Sequence, residues 1–159
     1  MVKIRDIKNS ELVQLEDFLY DAIFLPEGVK KPDKEIINLP ELARYINYFG
    51  QKSDYCLVAE LHGNLVGAIW IRIFDKSEKG FGYIDYETPE LSMSVKENFR
   101  NQGIGTKMII TMLNSLSIMG YKRVSLSVNK VNYAYRLYQK FGFIDYKNDK
   151  DSVTMIKYL

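Results

Sequence analysis

The run Arg100, Asn101, Gln102, Gly103, Ile104, Gly105, Thr106 lies just ahead of a stretch with helical periodicity, and its residue types suit an anion-binding turn. The first turn of a helix leaves backbone N–H groups without internal partners, and the helix dipole adds partial positive charge there. Glycines at 103 and 105 let the main chain curl and approach a pyrophosphate closely, while Arg100 adds a cation and Thr106 a hydroxyl. A nucleotide-like cofactor is the natural ligand. Two glycines before a helix are also ordinary material for a structural turn, so spacing must decide among phosphate motifs. A P-loop needs two glycines five positions apart followed by Lys and Ser or Thr, which Gly105-Thr106-Lys107 does not supply. A dinucleotide site needs a third glycine and an acidic residue ending the next strand, where this chain has Ser127-Val128-Asn129.

The elements that must position this turn are legible from periodicity. Residues 105–119 carry Met108, Ile109, Met112, Leu113, Leu116 and Met119 at helical spacing and end at Gly120, which predicts a helix opening in the glycine turn. Residues 91–95 read as the strand before it, and Val124, Leu126 and Val128 alternate with serines in the strand after it. A short helix over 133–140 and strands over 143–146 and 153–158, joined by a polar turn at 147–152, complete the chain. Upstream, residues 2–7 alternate as a strand, and Leu12, Leu15, Phe18, Leu19, Ala22 and Ile23 predict a helix capped at Asn9 or Ser10. A second helix is expected over 40–49, with a loop at 26–38 before it. Residues 55–61 and 65–74 form a hairpin around His62, Gly63 and Asn64, followed by a polar, glycine-bearing connection at 75–87 expected to be mobile near a binding face. This order predicts one α/β (α+β) domain over residues 1–159.

Two motifs then acquire a specific meaning. Arg100-x-x-Gly103-x-Gly105 resembles the pyrophosphate-binding motif of the GNAT family of N-acetyltransferases, and Asn132-x-Ala134-x-x-Leu137-Tyr138-x-Lys140-x-Gly142-Phe143 resembles that family's second motif. They occur in family order, separated by room for one helix and one strand. The resemblance implies a mixed, mostly antiparallel twisted sheet flanked by about four helices. Asn132 lies one residue closer to Ala134 than in the family pattern, and Asn129 is the other candidate for its role.

The resemblance also implies a reaction. Acetyl-CoA (coenzyme A) would lie with its pantetheine arm along Met93, Ser94 and Val95, its pyrophosphate at residues 100–106, and Asn132 and Tyr138 beside it. A neutral primary amine would attack the thioester directly, with a backbone N–H near Met93 stabilising the oxyanion. Tyr138 is the implied general acid, since a phenol of pKa about 10 is protonated at neutral pH and can protonate a departing thiolate. Its plainer reading is a core aromatic, because Ala134, Leu137 and Phe141 share its helix at buried spacing. Glu90 is the candidate base for the acceptor ammonium, with Asp85 and Glu87 as rivals and solvated loop charge as the alternative for each.

Composition excludes several other classes. Hydrophobic residues make up 47% and charged residues 26% of the 159, the balance of a globular protein. The formal charge of +2, from 22 basic and 20 acidic residues, gives no one-sign field for nucleic acid or membrane. Cys56 is the single cysteine, so no internal disulfide forms, and neither a signal peptide nor a spanning segment is evident; a cytoplasmic protein is expected. His62 is read as a turn residue, Trp70 as core and Cys56 as an inert buried thiol, and with one histidine and one cysteine no metal site is expected. The acceptor is left as a small-molecule or peptide amine, and a homodimer is left open. The rival from another class is a non-catalytic acyl-CoA sensor that binds the cofactor without turning it over.

Overall fold

Two apolar sets, on opposite faces of one sheet, organise the chain, and the alternation of strand side chains produces both. In the computed structural model, which describes residues 1–159, strands β1 (Lys3–Asp6), β2 (Tyr55–Leu61), β3 (Asn64–Arg72), β4 (Glu90–Val95), β5 (Arg123–Asn129), β6 (Ile144–Asp149) and β7 (Ser152–Tyr158) form one sheet in the order β1-β2-β3-β4-β5-β7-β6. Its helices are α1 (Leu15–Ala22), α2 (Pro40–Ala43), α3 (Ile104–Ile118) and α4 (Tyr133–Lys140). Along β3, Ile69 and Ile71 join the cluster under α3 with Met108, Ile109 and Met112, whereas Ala68 and Trp70 join the cluster under α1 with Leu15, Phe18 and Leu19. Because both faces are covered, β3 is buried at nearly every position and reads as a continuous apolar run.

The sheet is antiparallel except at its middle. β4 and β5 run parallel and share one registered pair, Glu90 with Ser125. Beyond it β4 stays with β3 as far as Gly67 opposite Val95, while β5 stays with β7 as far as Asn129 opposite Ser152. The two halves of the sheet therefore part after Glu90, and the edge of β4 that faces β5 is left without a strand partner.

Three expectations need correction. The first helix opens as a tight 3₁₀ stretch, Asn9–Gln14, and becomes α-helical only at Leu15; Glu11, rather than Asn9 or Ser10, takes the exposed amide of Lys8 at 2.8 Å. The second ends at Ala43 rather than Phe49. The carbonyls that would continue it are taken by β3 side chains: Arg72 donates to the carbonyls of Arg44 (2.8 Å) and Asn47 (2.7 Å), and the Trp70 indole donates to that of Tyr45 (3.1 Å). β6 runs on to Asp149 through residues expected to turn, because an edge strand exposed along its whole length needs no apolar alternation. The 75–87 connection is tied to its surroundings by hydrogen bonds described below.

The Gly142-Phe143 pair has a structural explanation. The Phe143 N–H bonds the Tyr138 carbonyl at 3.1 Å and the Gly142 N–H bonds that of Gln139 at 3.1 Å, with Gly142 at φ 90°: a left-handed helix stop. It folds the buried Phe143 ring onto the Tyr138 ring, 5.6 Å between centroids. Gly142→Ala should cost about 1 kcal/mol or more, since a side chain is disfavoured at that φ and its Cβ would stand 2.8 Å from Lys157 Nζ; a urea midpoint equal to the parent's would refute it.

Candidate active site

Strand geometry decides which backbone groups face the parted edge. The Lys96 N–H bonds the Val66 carbonyl on β3 at 2.8 Å, and the Ser125 N–H of β5 bonds the Pro89 carbonyl at 3.0 Å. With a period of two, the amides of Ser92 and Ser94 point to β3, while those of Leu91, Met93 and Val95 point to the β5 side. Past Glu90 that side has no strand, so Met93 and Val95 present donors to the opening. Ser94 has its groups committed: its amide faces β3, and its hydroxyl donates to the Phe18 carbonyl of α1 at 2.7 Å. The Val95 carbonyl accepts from Arg100 Nε at 2.9 Å, which folds the arginine back against the end of β4.

The glycine turn stands beside this opening. Asn101 at φ 61° and Gly103 at φ 80° reverse the chain, and Gly103 is the N-cap of the 15-residue α3. The first intrahelical bond runs from the Lys107 N–H to the Gly103 carbonyl at 3.1 Å, so the amides of Ile104, Gly105 and Thr106 have no helical partner. Gly103 and Thr106 lie at the surface or half-buried, Gln102 is exposed and Ile104 is rooted in the core. A Cβ on Gly105 would lie 3.5 Å from the Met93 methyl and 3.7 Å from Leu137, which puts the turn between β4 and α4 at the mouth of the gap. A pyrophosphate fits here: clustered free amides and a helix dipole are what such an anion needs, while Arg100 is turned to the Val95 and Asp21 carbonyls.

Tyr138 and Glu90 flank the gap on opposite faces. Tyr138 belongs to the α3-side cluster, its ring buried and its hydroxyl pKa pushed far above the ordinary phenol value by that burial. The hydroxyl makes no internal hydrogen bond, yet Glu90 Oε1 is the one enclosed side-chain polar atom without a partner, so the Tyr138 hydroxyl reaches accessible space. Tyr138 is thus a core aromatic whose hydroxyl has no protein partner. Asn132 caps α4 by accepting the Ala134 N–H at 2.9 Å, and Asn129 accepts that of Val131 at 3.0 Å.

Glu90 faces the α1 side, in register with Arg72 and on the same face as Ser94. It is 3% exposed, and burial pushes its carboxyl from an ordinary 4.5 up to about 7. A hydrogen bond from the Tyr45 hydroxyl to Oε2 and the nearby Gly82 amide favour the ionised form and limit that rise. Of the rivals, Asp85 is tied to Arg123 and Thr88; burial works against it, but these bonds and the Glu87 N–H hold it below its ordinary value. Glu87 is exposed. Trp70 and Cys56 are core, as expected, and burial pushes the thiol well up, leaving it inert.

Tyr45 escaped the sequence reading, which placed it only within the helix expected over residues 40–49. Its partner is 45 residues away, and no local pattern marks such a pair.

Comparison with known proteins agrees with this geometry. No curated protein matches the sequence significantly. Among solved structures, an acetyltransferase of the GNAT family from Staphylococcus aureus superposes with a TM-score of 0.71 at 19% identity, covering 100% of this chain and 99% of that one. A ribosomal-protein-alanine N-acetyltransferase from Brucella melitensis gives 0.70 at 19% identity, with 99% of each chain covered. The PaiA N-acetyltransferase of Thermoplasma acidophilum, in complex with coenzyme A, gives 0.67 at 20% identity, covering 100% and 99%. At such identities these likenesses speak for the fold. The model of the acetyltransferase (GNAT) family matches residues 17–143, which span α1, the parted strands, the glycine turn and the helix bearing Tyr138. The chain thus belongs to the GNAT acetyltransferase family, enzymes that take their acyl group from acetyl-CoA.

Proposed function

We propose that this enzyme transfers an acetyl group from acetyl-CoA to a primary amine by direct attack, with Glu90 as general base and Tyr138 as general acid. The observation that carries the reading is the parted β4–β5 edge, with a buried carboxyl on one face, a phenol on the other and free helix amides at its mouth. Bound acetyl-CoA supplies an activated acyl thioester. The amides of Ile104, Gly105 and Thr106, with Arg100 close by and Asn101, Gln102 and Gly103 shaping the turn, would hold its pyrophosphate. Met93 and Val95 would bond its pantetheine arm as a strand neighbour does, with Ser94 fixing the register through Phe18. Asn132 holds the start of α4 in place.

The acceptor arrives on the Glu90 face. There, beyond β5, Phe81, Ser127, Asp149, Ser152 and Thr154 line a recess of about 210 Å³. Glu90, titrating near neutrality, takes a proton from the acceptor ammonium and leaves the amine lone pair free. The Met93 N–H, aimed at the opening, donates to the oxygen on which negative charge develops. On the far face Tyr138, un-ionised across the working pH range because burial raises its pKa, would give its proton to the leaving sulfur and be restored by the second proton that the nitrogen releases as the amide forms.

Tyr138→Phe removes the hydroxyl and keeps the ring on Phe143, so turnover should fall about 100-fold with coenzyme A affinity unchanged. Stopped-flow thiol release and calorimetry measure the two quantities, and undiminished turnover would take Tyr138 out of the mechanism. A thiol-release screen over amine classes tests the reading as a whole. Binding of coenzyme A with no thiol release for any amine would replace it with that of a sensor.

A further inference from the structure

Glu90 is covered from the acceptor side by residues 80–83, which fit too closely for a side chain to be added. A Cβ on Gly80 would overlap Glu90 Oε1 and approach Phe74 and the Tyr45 hydroxyl at 2.8 Å each. A Cβ on Gly82 would stand 2.6 Å from the Leu126 carbonyl carbon and 2.9 Å from the Ser127 nitrogen, so this segment lies directly on the β5 backbone beside the gap. Ser125 donates to the Gly82 carbonyl at 2.7 Å and Thr154 to that of Phe81 at 3.4 Å.

Tyr45 joins this cover to the carboxyl. Its hydroxyl donates to Glu90 Oε2 and accepts the Phe81 N–H at 2.7 Å, and its ring stacks on that of Phe81 with 6.2 Å between centroids. The neighbouring Arg44 guanidinium donates to the Lys79 carbonyl at 2.6 Å, a second tie to the segment. The turn that carries Tyr45 is itself fixed, its carbonyls held by Trp70 and by Arg72, which Asp54 holds in turn. Tyr45 thus has a rigid mount on one side and two contacts, carboxyl and cover, on the other.

We propose that Tyr45 is a positioning residue for the reaction: its hydroxyl orients the Glu90 carboxyl and ties it to residues 80–83, so that lifting this segment changes the readiness of Glu90 to take a proton from the acceptor. The inference rests on Glu90 being the base. With the segment seated, the carboxyl is enclosed and its Oε1 unpartnered, and this burial outweighs the Tyr45 hydroxyl and the nearby Gly82 amide in favouring the neutral form. An acceptor that lifts the segment admits water and favours the carboxylate, which then accepts the ammonium proton as the amine becomes neutral. No other charge does this work. Arg72 is committed to Asp54, Asp85 to Arg123, and the Lys79 ammonium sits over the Tyr83 ring; Ser125, facing from β5, is neutral and bonded to Gly82.

The test follows Glu90 directly by carbon NMR of the enzyme labelled at its glutamate carboxyls, alongside the pH profile of kcat/KM. Tyr45→Phe removes the donor to the carboxylate and should raise the Glu90 midpoint by about one pH unit, a tenfold change in proton affinity. The acid limb of kcat/KM should move by the same amount, with the high-pH plateau within about twofold of the parent. A rate lowered equally at every pH, with the midpoint unmoved, would reduce Tyr45 to a packing residue and overturn the proposal. Phe81→Ala, which leaves Tyr45 and Glu90 in place and loosens the cover, should move the midpoint the other way, toward 4.5. It carries the test should Tyr45→Phe fail to fold, and an unmoved midpoint there overturns the link to the segment. A midpoint that moves while the acid limb stays would instead remove Glu90 as base, and would leave its tie to Tyr45 standing.

Discussion

Glu90→Gln should slow turnover about 100-fold at pH 7 to 8, the usual worth of a positioned general base, and should abolish the fall in kcat/KM expected of the parent below about pH 7. The deficit should shrink as pH approaches the acceptor's own pKa, about 10 for an alkyl amine, where the nucleophile is neutral without help. The same variant has a second, independent readout in stability. The folded carboxyl binds its proton more tightly than the unfolded one, about 7 against 4.5. Its contribution is therefore fully present below pH 4.5 and is lost as pH rises through 7, where the buried charge costs up to about 3 kcal/mol. Glutamine keeps the shape and never ionises. The two proteins should melt together below about pH 4.5, part progressively between there and pH 7, and stay apart above it, with the glutamine variant the more stable. Parallel melting curves at all pH values would show that Glu90 is not held neutral by burial, and an unaltered rate profile would show that it is not the base.

Gly105→Ala should separate stability from function at the other end of the site. The added methyl meets nothing nearer than 3.5 Å in the folded chain and sits in the first turn of a regular helix, where alanine is favoured over glycine. Thermal stability should hold or rise. The methyl nevertheless projects toward Met93 and Leu137, into the mouth of the gap proposed to take the coenzyme A arm. Affinity for coenzyme A should drop at least tenfold, about 1.4 kcal/mol, measured by calorimetry. Retained affinity in a folded variant would move the cofactor away from this turn.

Much of the architecture was legible because it is written in short-range pattern. The hairpin of β2 and β3, the apolar face of α3 and the alternation of β5 each require neighbours within a few residues, and the structure has them close to where periodicity put them. The Arg100 to Thr106 turn was legible for the same reason: positive φ at Gly103 and free amides at the head of α3 are local consequences of local residues. Glu90 was one of three carboxylates in a row of candidates. What distinguishes it is enclosure, which depends on Tyr45, Phe74 and Gly80 arriving from three other parts of the chain. The early end of α2 was hidden likewise, since nothing in residues 40–49 says that Arg72 and Trp70 will claim their carbonyls.

By itself the sequence determined the order of the elements and the glycine turn ahead of α3, because each is set by φ preferences and side-chain period over a few residues. Only the tertiary structure decided that β4 and β5 part after a single pair, that Glu90 and Tyr138 stand on opposite faces of that gap, and that residues 80–83 close over the carboxyl. The physical reason is that burial, and with it the proton affinity of a carboxyl, is a property of everything packed around a group, and those neighbours come from segments far apart in the chain.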